Sequence, residues 1–408
     1  MLKSIIYSPL ASLVLSVASG SFFLTFISVK INSIGGSEIA LGLIHSAFYG
    51  GMLFGSLKSE EIINRVGYIR AFASFSSLFT FTIIFQALYQ SPNFWIFLRF
   101  LAGFSTGAIY VIIESWLLAQ STKNNKGKIL SIYMICLYSA QTIGQFGLDI
   151  VDVNTMQPFL LAALIASIAM IPASLTHMKA PEIHTLPKMK ASKYFSASPL
   201  GFIGCVISGL VLSSVYGFLP SYALDNNLSV SVLVGTTIAG GFVLQWPIGK
   251  LSDMFDRAVI ITLLGLITII VCFIIIFAPM PNVAVYMISF FFGGLCFTIY
   301  PVCIAQVCDY LSNSNIINVI GVLLFAYGIG AVSGPPILAF SIKLFSSTAL
   351  FYFIAFVSFM LFACGLYSLK TVKAVSQEKQ VDFVAIPRVS PVASGLLKAR
   401  KSETKNKD

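Results

Sequence analysis

The chain has 408 residues, 57% of them apolar and 10% charged, with a mean hydropathy of +0.91. A soluble domain is about 45–50% apolar and about 25% charged, so this balance excludes a water-soluble protein and requires a polytopic membrane protein. The net charge of +10 would suit a nucleic-acid partner, but the basic residues sit in loops on one side and in the C-terminal tail, so the bilayer is the partner and no nucleic acid is expected.

Lys3 and the apolar run from Pro9 to about Val29 superficially resemble a signal peptide. The run exceeds the roughly 7–15 residues of a signal core, and no small-x-small cleavage site follows, so it is a retained first span. Apolar runs of about twenty residues then recur. They predict spans over 8–30, 38–57, 70–89, 93–118, 128–150 and 156–177, and again over 199–224, 231–250, 258–278, 282–307, 316–342 and 347–369. The fold class is all-α, with twelve transmembrane helices in two six-helix bundles. The predicted domains are a first bundle over 1–178, a linker over 179–198, a second bundle over 199–370, and a disordered tail over 371–408.

An even number of spans puts both termini on one side. Lys3, Lys58, Arg65, Arg70, Lys123, Lys126, Lys128, Lys179, Lys188, Lys190, Lys193, Lys250, Arg257 and the tail lie there, against Lys30 and Lys343 opposite. The positive-inside rule makes that side cytoplasmic. The halves also repeat each other. Leu13-Val14-Leu15-Ser16 with Gly20 matches Leu210-Val211-Leu212-Ser213 with Gly217, and Gly55-Ser56-Leu57 matches Gly249-Lys250-Leu251. Gly103 with Ile109-Tyr110 matches Gly293 with Ile299-Tyr300, and Gly144 matches Gly334. The offset shrinks steadily along the chain, as differing loops in a duplicated bundle require. Two such halves with solute bound between them are the plan of alternating-access carriers.

The fourth span carries the chemistry. At about 100° per residue, Arg99, Thr106 and Tyr110 share a face. Gly103 and Gly107 form a strip on which another helix can press closely. A charge at membrane depth costs at least about 2.5–3.5 kcal/mol, so Arg99 should face protein or water. It cannot give up its proton, so it would bind an anion or tune a nearby acid. The bland alternative is an arginine snorkelling to the lipid interface. Glu114 lies about 22 Å further along at about 1.5 Å per residue, too far to pair with Arg99. It reads either as a gate ion pair with Arg65, Arg70 or Lys123, or as a proton site. His45 could titrate or be a hydrogen-bonded structural residue. Asp149 and Asp152 read as solvated.

The remaining pocket candidates are Gln141, Gln145, Tyr138, Tyr216, Gln245, Trp246, Tyr300 and Tyr327, each of which could equally be interhelical glue or an interface aromatic. The seven cysteines fall in or beside apolar spans without a Cys-x-x-Cys pair, so neither disulfides nor a metal site is expected. Val215-Tyr216-Gly217-Phe218-Leu219-Pro220 and Gly330-Ala331-Val332-Ser333-Gly334-Pro335-Pro336 are candidate bending points.

Gly249-Lys250-Leu251-Ser252-Asp253-Met254-Phe255-Asp256-Arg257 resembles the Gly-x-Leu-x-Asp-x-x-x-Arg loop of the major facilitator superfamily. In that motif glycine allows close packing and the acid–base pair helps close one side of the pathway, which makes Gly249, Asp253 and Arg257 gating candidates beside Arg65 and Arg70. The equivalent first-half loop departs from the pattern, with Ser59 in place of aspartate and Glu60 and Glu61 following. Arg99-x-x-x-Gly103-x-x-x-Gly107 resembles the superfamily's fourth-span motif, tied to proton coupling or substrate charge. Thr142-Ile143-Gly144-Gln145 is similar to its antiporter motif but has Gln145 where proline stands, which weakens a drug-export reading. With Glu114-Ser115-Trp116, the chain most resembles the YcaD-like branch.

The resemblance implies a secondary carrier of a small organic solute in the cytoplasmic (inner) membrane, proton-coupled or driven by the solute gradient, monomeric and without cofactor. The alternative is a non-transporting receptor or assembly factor on the same fold. No Gly-x-x-x-x-Gly-Lys-Ser/Thr loop supports an ATP-driven pump, and three scattered histidines give no enzyme centre.

Overall fold

In hydrocarbon each backbone amide must find its partner within its own segment, which leaves the long apolar runs no choice but helix. The computed structural model describes residues 2–121, 125–176, 198–310, 316–372, 380 and 383. Lys123, Lys179, Lys188, Lys190, Lys193 and the predicted linker, apart from Ser198, lie outside these residues. So does the tail, apart from Thr371, Val372, Gln380 and Phe383.

Among the described residues, twelve helices are long and apolar enough to cross a membrane. They are α1 (Leu2–Lys30), α2 (Glu38–Val66), α3 (Tyr68–Leu88), α4 (Pro92–Ala119), α5 (Lys126–Gln145) and α6 (Gln157–Ser174, interrupted at Ala169). The second set is α7 (Pro199–Asp225), α8 (Val230–Met254), α9 (Arg257–Phe277), α10 (Asn282–Asp309), α11 (Ile316–Leu344) and α12 (Ala349–Thr371). The largest boundary difference is in α2, whose apolar run ends at Leu57 while the helix continues to Val66. Its extension is polar and helix-forming, with Lys58 and Glu61 paired at 3.1 Å one turn apart. Gly67 then turns the chain into α3 with φ of 81°, a conformation that favours glycine. Ser37, Ser198, Ser229 and Asp256 cap the helices that follow them.

The two halves share one packing scheme. In the first, α2 packs on α4, α1 on α5 and α6, and α3 on α4 and α6. The second repeats it as α8 on α10, α7 on α11 and α12, and α9 on α10 and α12. The two six-helix bundles meet along α2–α11, α5–α8 and α1–α7. The outer faces are apolar, with Phe277, Phe340 and Phe356 all more than half exposed, as a surface solvated by lipid requires.

Lipid tails are as apolar as leucine, so helices in a bilayer associate through close packing rather than hydrophobicity. Here glycine supplies it. A Cβ on Gly51 or Gly55 of α2 would strike the carbonyl oxygens of Phe100 or Phe104 on α4. One on Gly103 or Gly107 of α4 would strike those of Phe48 or Met52 on α2. The second bundle does the same with Gly240 against Phe290 and Gly293 against Thr237. Gly103 and Gly293, a matched pair in the internal repeat, occupy equivalent contacts. So do Gly144, against Ala18 of α1, and Gly334, against Leu210 of α7.

Gly103→Val should therefore prevent α2 and α4 from docking, giving no monodisperse protein in detergent or a large loss of melting temperature. Gly50→Ala is the matched control, since its new methyl would meet only Val332 at 3.8 Å. It should be neutral or stabilising by up to about 1 kcal/mol through helix propensity. Equal melting temperatures for the two variants would contradict the packing account.

Candidate functional site

A cavity of about 790 Å³, its open mouth included, lies between the bundles at mid-helix depth. Gly20, Ser21 and Leu24 of α1, Phe48, Tyr49 and Met52 of α2, and Thr106 and Tyr110 of α4 line one part of it. Met134, Leu137, Tyr138 and Gln141 of α5, Tyr216 of α7 and Tyr327 of α11 complete the wall. The lining contains no acid, lysine or arginine: it is aromatic and aliphatic, with hydroxyls and one amide as its polar groups. The Tyr216 hydroxyl donates to Gln141 Oε1 at 3.3 Å, a hydrogen bond that joins the two bundles across the cavity. Ser21 Oγ holds α1 to α5 by donating to the Gln141 carbonyl at 2.9 Å.

Of the pocket residues expected from sequence, Tyr110, Tyr138, Gln141, Tyr216 and Tyr327 come together here. Four others do not. Gln145 is buried and ties α5 to α1, accepting from Thr25 Oγ1 at 2.7 Å and donating to Ser21 Oγ. Tyr300 is buried behind the wall with its ring 5.0 Å from that of Tyr327. Gln245 is buried on α8, away from the lining. Trp246 is 70% exposed, with Lys250 Nζ 5.6 Å from its ring. One residue along a helix turns a side chain by about 100°, which takes Trp246 out of the core that Gln245 occupies. The residues that sequence reasoning missed are Ser21, Leu24, Phe48, Tyr49, Met52, Met134 and Leu137. Tyr49 and Met52 could have been found, since they extend the His45 face of α2 by one and two turns.

Arg99 is buried and does not snorkel. Its guanidinium lies 4.3 Å from the Phe48 ring centroid and 5.8 Å from that of Phe23. Phe48 thus stands between the charge and the cavity, offering one face to each. The Nε and Nη2 groups find no hydrogen-bond partner among the described residues. Its charge also acts on His45, which is fully buried with Nε2 at 2.9 Å from Ser28 Oγ. His45 sits against Gly217 of α7, at the seam between the bundles. Glu114 is buried further along α4, within electrostatic reach of Tyr133.

The bundles close on the face away from the termini. There Ser46 Oγ donates to the Val332 carbonyl at 2.7 Å, and Gly42 packs against Pro335 and Ala339. Asp149 is exposed, as expected, and also accepts a hydrogen bond from Ser231 Oγ across the bundle interface, 2.7 Å from each carboxylate oxygen. Toward the terminus side, beyond the Tyr138–Phe242 contact, whose rings are 5.6 Å apart, Ile135 of α5 is 50% exposed and Trp246 of α8 70%.

The second-half motif forms the expected ion pair. Arg257 is fully buried and pairs with Asp253 at 2.8 Å and Asp309 at 3.2 Å, while its Nε donates to the Ser252 carbonyl. Asp253 also accepts from the backbone N–H of Phe383, whose ring covers Gly249. The first-half counterpart is not built. Arg65 and Arg70 are exposed and form no salt bridge among the described residues, so neither pairs with Glu114. They lie on the polar end of α2 and the start of α3, whereas Glu114 is buried.

A family model described as Major Facilitator Superfamily matches residues 10–304 and 228–403. An uncharacterized MFS-type transporter of Enterobacter sp. (strain 638) is 30% identical over 327 residues, covering 78% of this chain and 84% of that protein. The uncharacterized MFS-type transporter YcaD of Escherichia coli O45:K1 is 30% identical over 329 residues, with the same coverage. Among solved structures, the nucleoside transporter NupG superposes with a TM-score of 0.75 at 12% identity, covering 90% of this chain and 99% of that one. A bacterial homolog of the human lysosomal transporter Spinster, inward-facing and unoccupied, gives 0.66 at 13% identity over 98% of each chain. These likenesses carry the fold, and the sequence relatives carry the family. The chain belongs to the Major Facilitator Superfamily, as a multi-pass membrane transporter resembling YcaD.

Proposed function

We propose that this transporter is a secondary carrier that moves a small, uncharged amphipathic solute by alternating access, coupled to protons. The observation that carries the reading is the cavity itself, tyrosine-lined and sitting at the seam of two bundles that are hydrogen-bonded to each other on the face away from the termini. A lining without charged side chains favours a solute whose ring or chain packs on Phe48, Tyr110, Tyr138 and Tyr327 while a polar edge meets Gln141 and Tyr216. Arg99 lies against the Phe48 ring and is absent from the lining, so the cavity suits an uncharged amphipathic solute better than a net anion.

Orientation follows from charge: the basic loops put both termini in the cytoplasm, so the solute path is open to the cytoplasm and shut on the outer face. The membrane is the cytoplasmic (inner) membrane, and the working unit is a monomer. For proton coupling, Arg99 cannot be the carrier and acts as a fixed positive element. His45 at the seam and Glu114 below the cavity are buried groups that can exchange a proton, and they supply the two candidate sites. No cofactor is required.

In proteoliposomes containing a pH dye, an uncharged amphipathic solute should drive proton movement that Arg99→Ala abolishes. Solute flux without proton movement would leave a uniporter, and solute binding without flux would favour the receptor reading. A second outcome concerns the cross-cavity hydrogen bond. Tyr216→Phe should weaken solute binding about threefold to tenfold, as loss of a hydrogen bond of about 0.5–1.5 kcal/mol implies. Unchanged affinity by calorimetry would remove Tyr216 from the binding site.

A further inference from the structure

One stripe of α8 faces the first bundle. Ser231, Gly235, Phe242, Trp246, Gly249 and Asp253 follow each other at helical spacing, and at about 100° per residue they stay within about 40° of one line. The upper members are in contact: Ser231 with Asp149, Gly235 beside Phe146, and Phe242 against Tyr138. These pairs define an antiparallel register in which each step down α8 matches a step back along α5. Continued for about three turns, the register sets Trp246 opposite Ile135, Lys250 opposite Ser131, and Asp253 opposite Gly127 and Lys128 at the start of α5. Ile135, Trp246, Lys250, Ser131, Gly127 and Lys128 are all exposed.

The lower stripe is nevertheless occupied, by the chain's own tail. The Phe383 ring fills the space a Cβ on Gly249 would need, and its backbone N–H donates to both oxygens of Asp253, at 2.9 and 3.1 Å. That donor imitates what the start of α5 would bring. The first-turn N–H groups of a helix have no carbonyl partner within it, and they sit at its positive end, here beside Lys126 and Lys128. Arg257 holds Asp253 in place from the other side, so the carboxylate can exchange one N–H partner for another without moving.

We propose that Phe383 is a wedge: by covering Gly249 and engaging Asp253 it takes the place that the start of α5 must occupy for the terminus side to close. Phe383 is then a control point, and whatever draws it away favours closure. This inference rests on the alternating-access reading.

The chain carries its own probe. Of its three tryptophans, Trp95 and Trp116 are fully buried and Trp246, on the lower stripe, is 70% exposed. In lipid nanodiscs, acrylamide quenching assigned to Trp246 by comparison with Trp246→Phe measures how open that side is. Phe383→Ala should roughly halve the quenching constant as the closed form rises to about half the molecules. Phe383→Gly, which removes the whole side chain and leaves Gly249 bare, should do the same. Unchanged or greater quenching in either variant, at wild-type melting temperature, overturns the wedge. The readout needs no solute. Its failure would leave the carrier reading standing, whereas absence of flux in the vesicle assay would sink the carrier reading whatever the quenching shows.

Discussion

Backbone-to-backbone contact between α2 and α4, repeated between α8 and α10, is the constraint on which this structure depends. Gly51, Gly55, Gly103 and Gly107 let carbonyl oxygens of one helix rest where side chains of the other would stand. Such an interface has no slack, because the obstructing atoms are main chain and cannot swing aside. Such packing leaves each bundle little room to deform, so any adjustment falls to the seams between bundles. Those seams are built from exchangeable contacts: the Ser46–Val332, Ser231–Asp149 and Tyr216–Gln141 hydrogen bonds and side-chain packing around Val332 and Leu53. Rigid halves joined by contacts that can break are what alternating access needs.

Polar chemistry is placed according to the same division. Arg99, His45 and Ser28 are buried among α1, α2 and α4, in the first bundle, with the aromatic ring of Phe48 between the guanidinium and the cavity. A cation held against a ring face keeps part of its stabilisation without a counter-ion. That arrangement leaves the cavity lining uncharged while putting a positive charge one side chain behind it. At the terminus side Arg257 performs a different task, holding two acids from α8 and α10 so that the second bundle's end stays ordered.

Most of the fold was legible in the sequence because it is written in quantities that do not depend on tertiary detail. Span length, the charge asymmetry of loops and the ordered repeat of glycines follow from bilayer thickness and helix geometry. Five of the nine pocket candidates were legible as polar or aromatic residues in mid-helix. Trp246 was not, because a helix's own periodicity gives relative angles and says nothing of which face meets the partner. Gln145 and Tyr300 were misplaced for a related reason: a polar group in a span must be satisfied somewhere, and hydrogen bonding between helices serves as well as a cavity. The departure of the first-half loop, with Ser59 in place of an acid, was visible in the sequence, but the expected pairing of Arg65 or Arg70 with Glu114 was not met, since both arginines are exposed while Glu114 is buried. The docking of Phe383 left no local signal at all, since it depends on where the tail returns.

The central claim is that two rigid bundles rock about the tyrosine-lined cavity, and spin-label distance measurements in lipid test it most directly. Labels at Leu57 and Leu251 span the bundles on the terminus side, labels at Ile150 and Leu224 span them on the far face, and labels at Leu57 and Ile135 stay within the first bundle. Two distance populations for each inter-bundle pair, moving in opposite directions as conditions shift, with a single unchanged distance within the bundle, is the expected result. A single fixed distance for both inter-bundle pairs, or a change within the first bundle, would contradict the account.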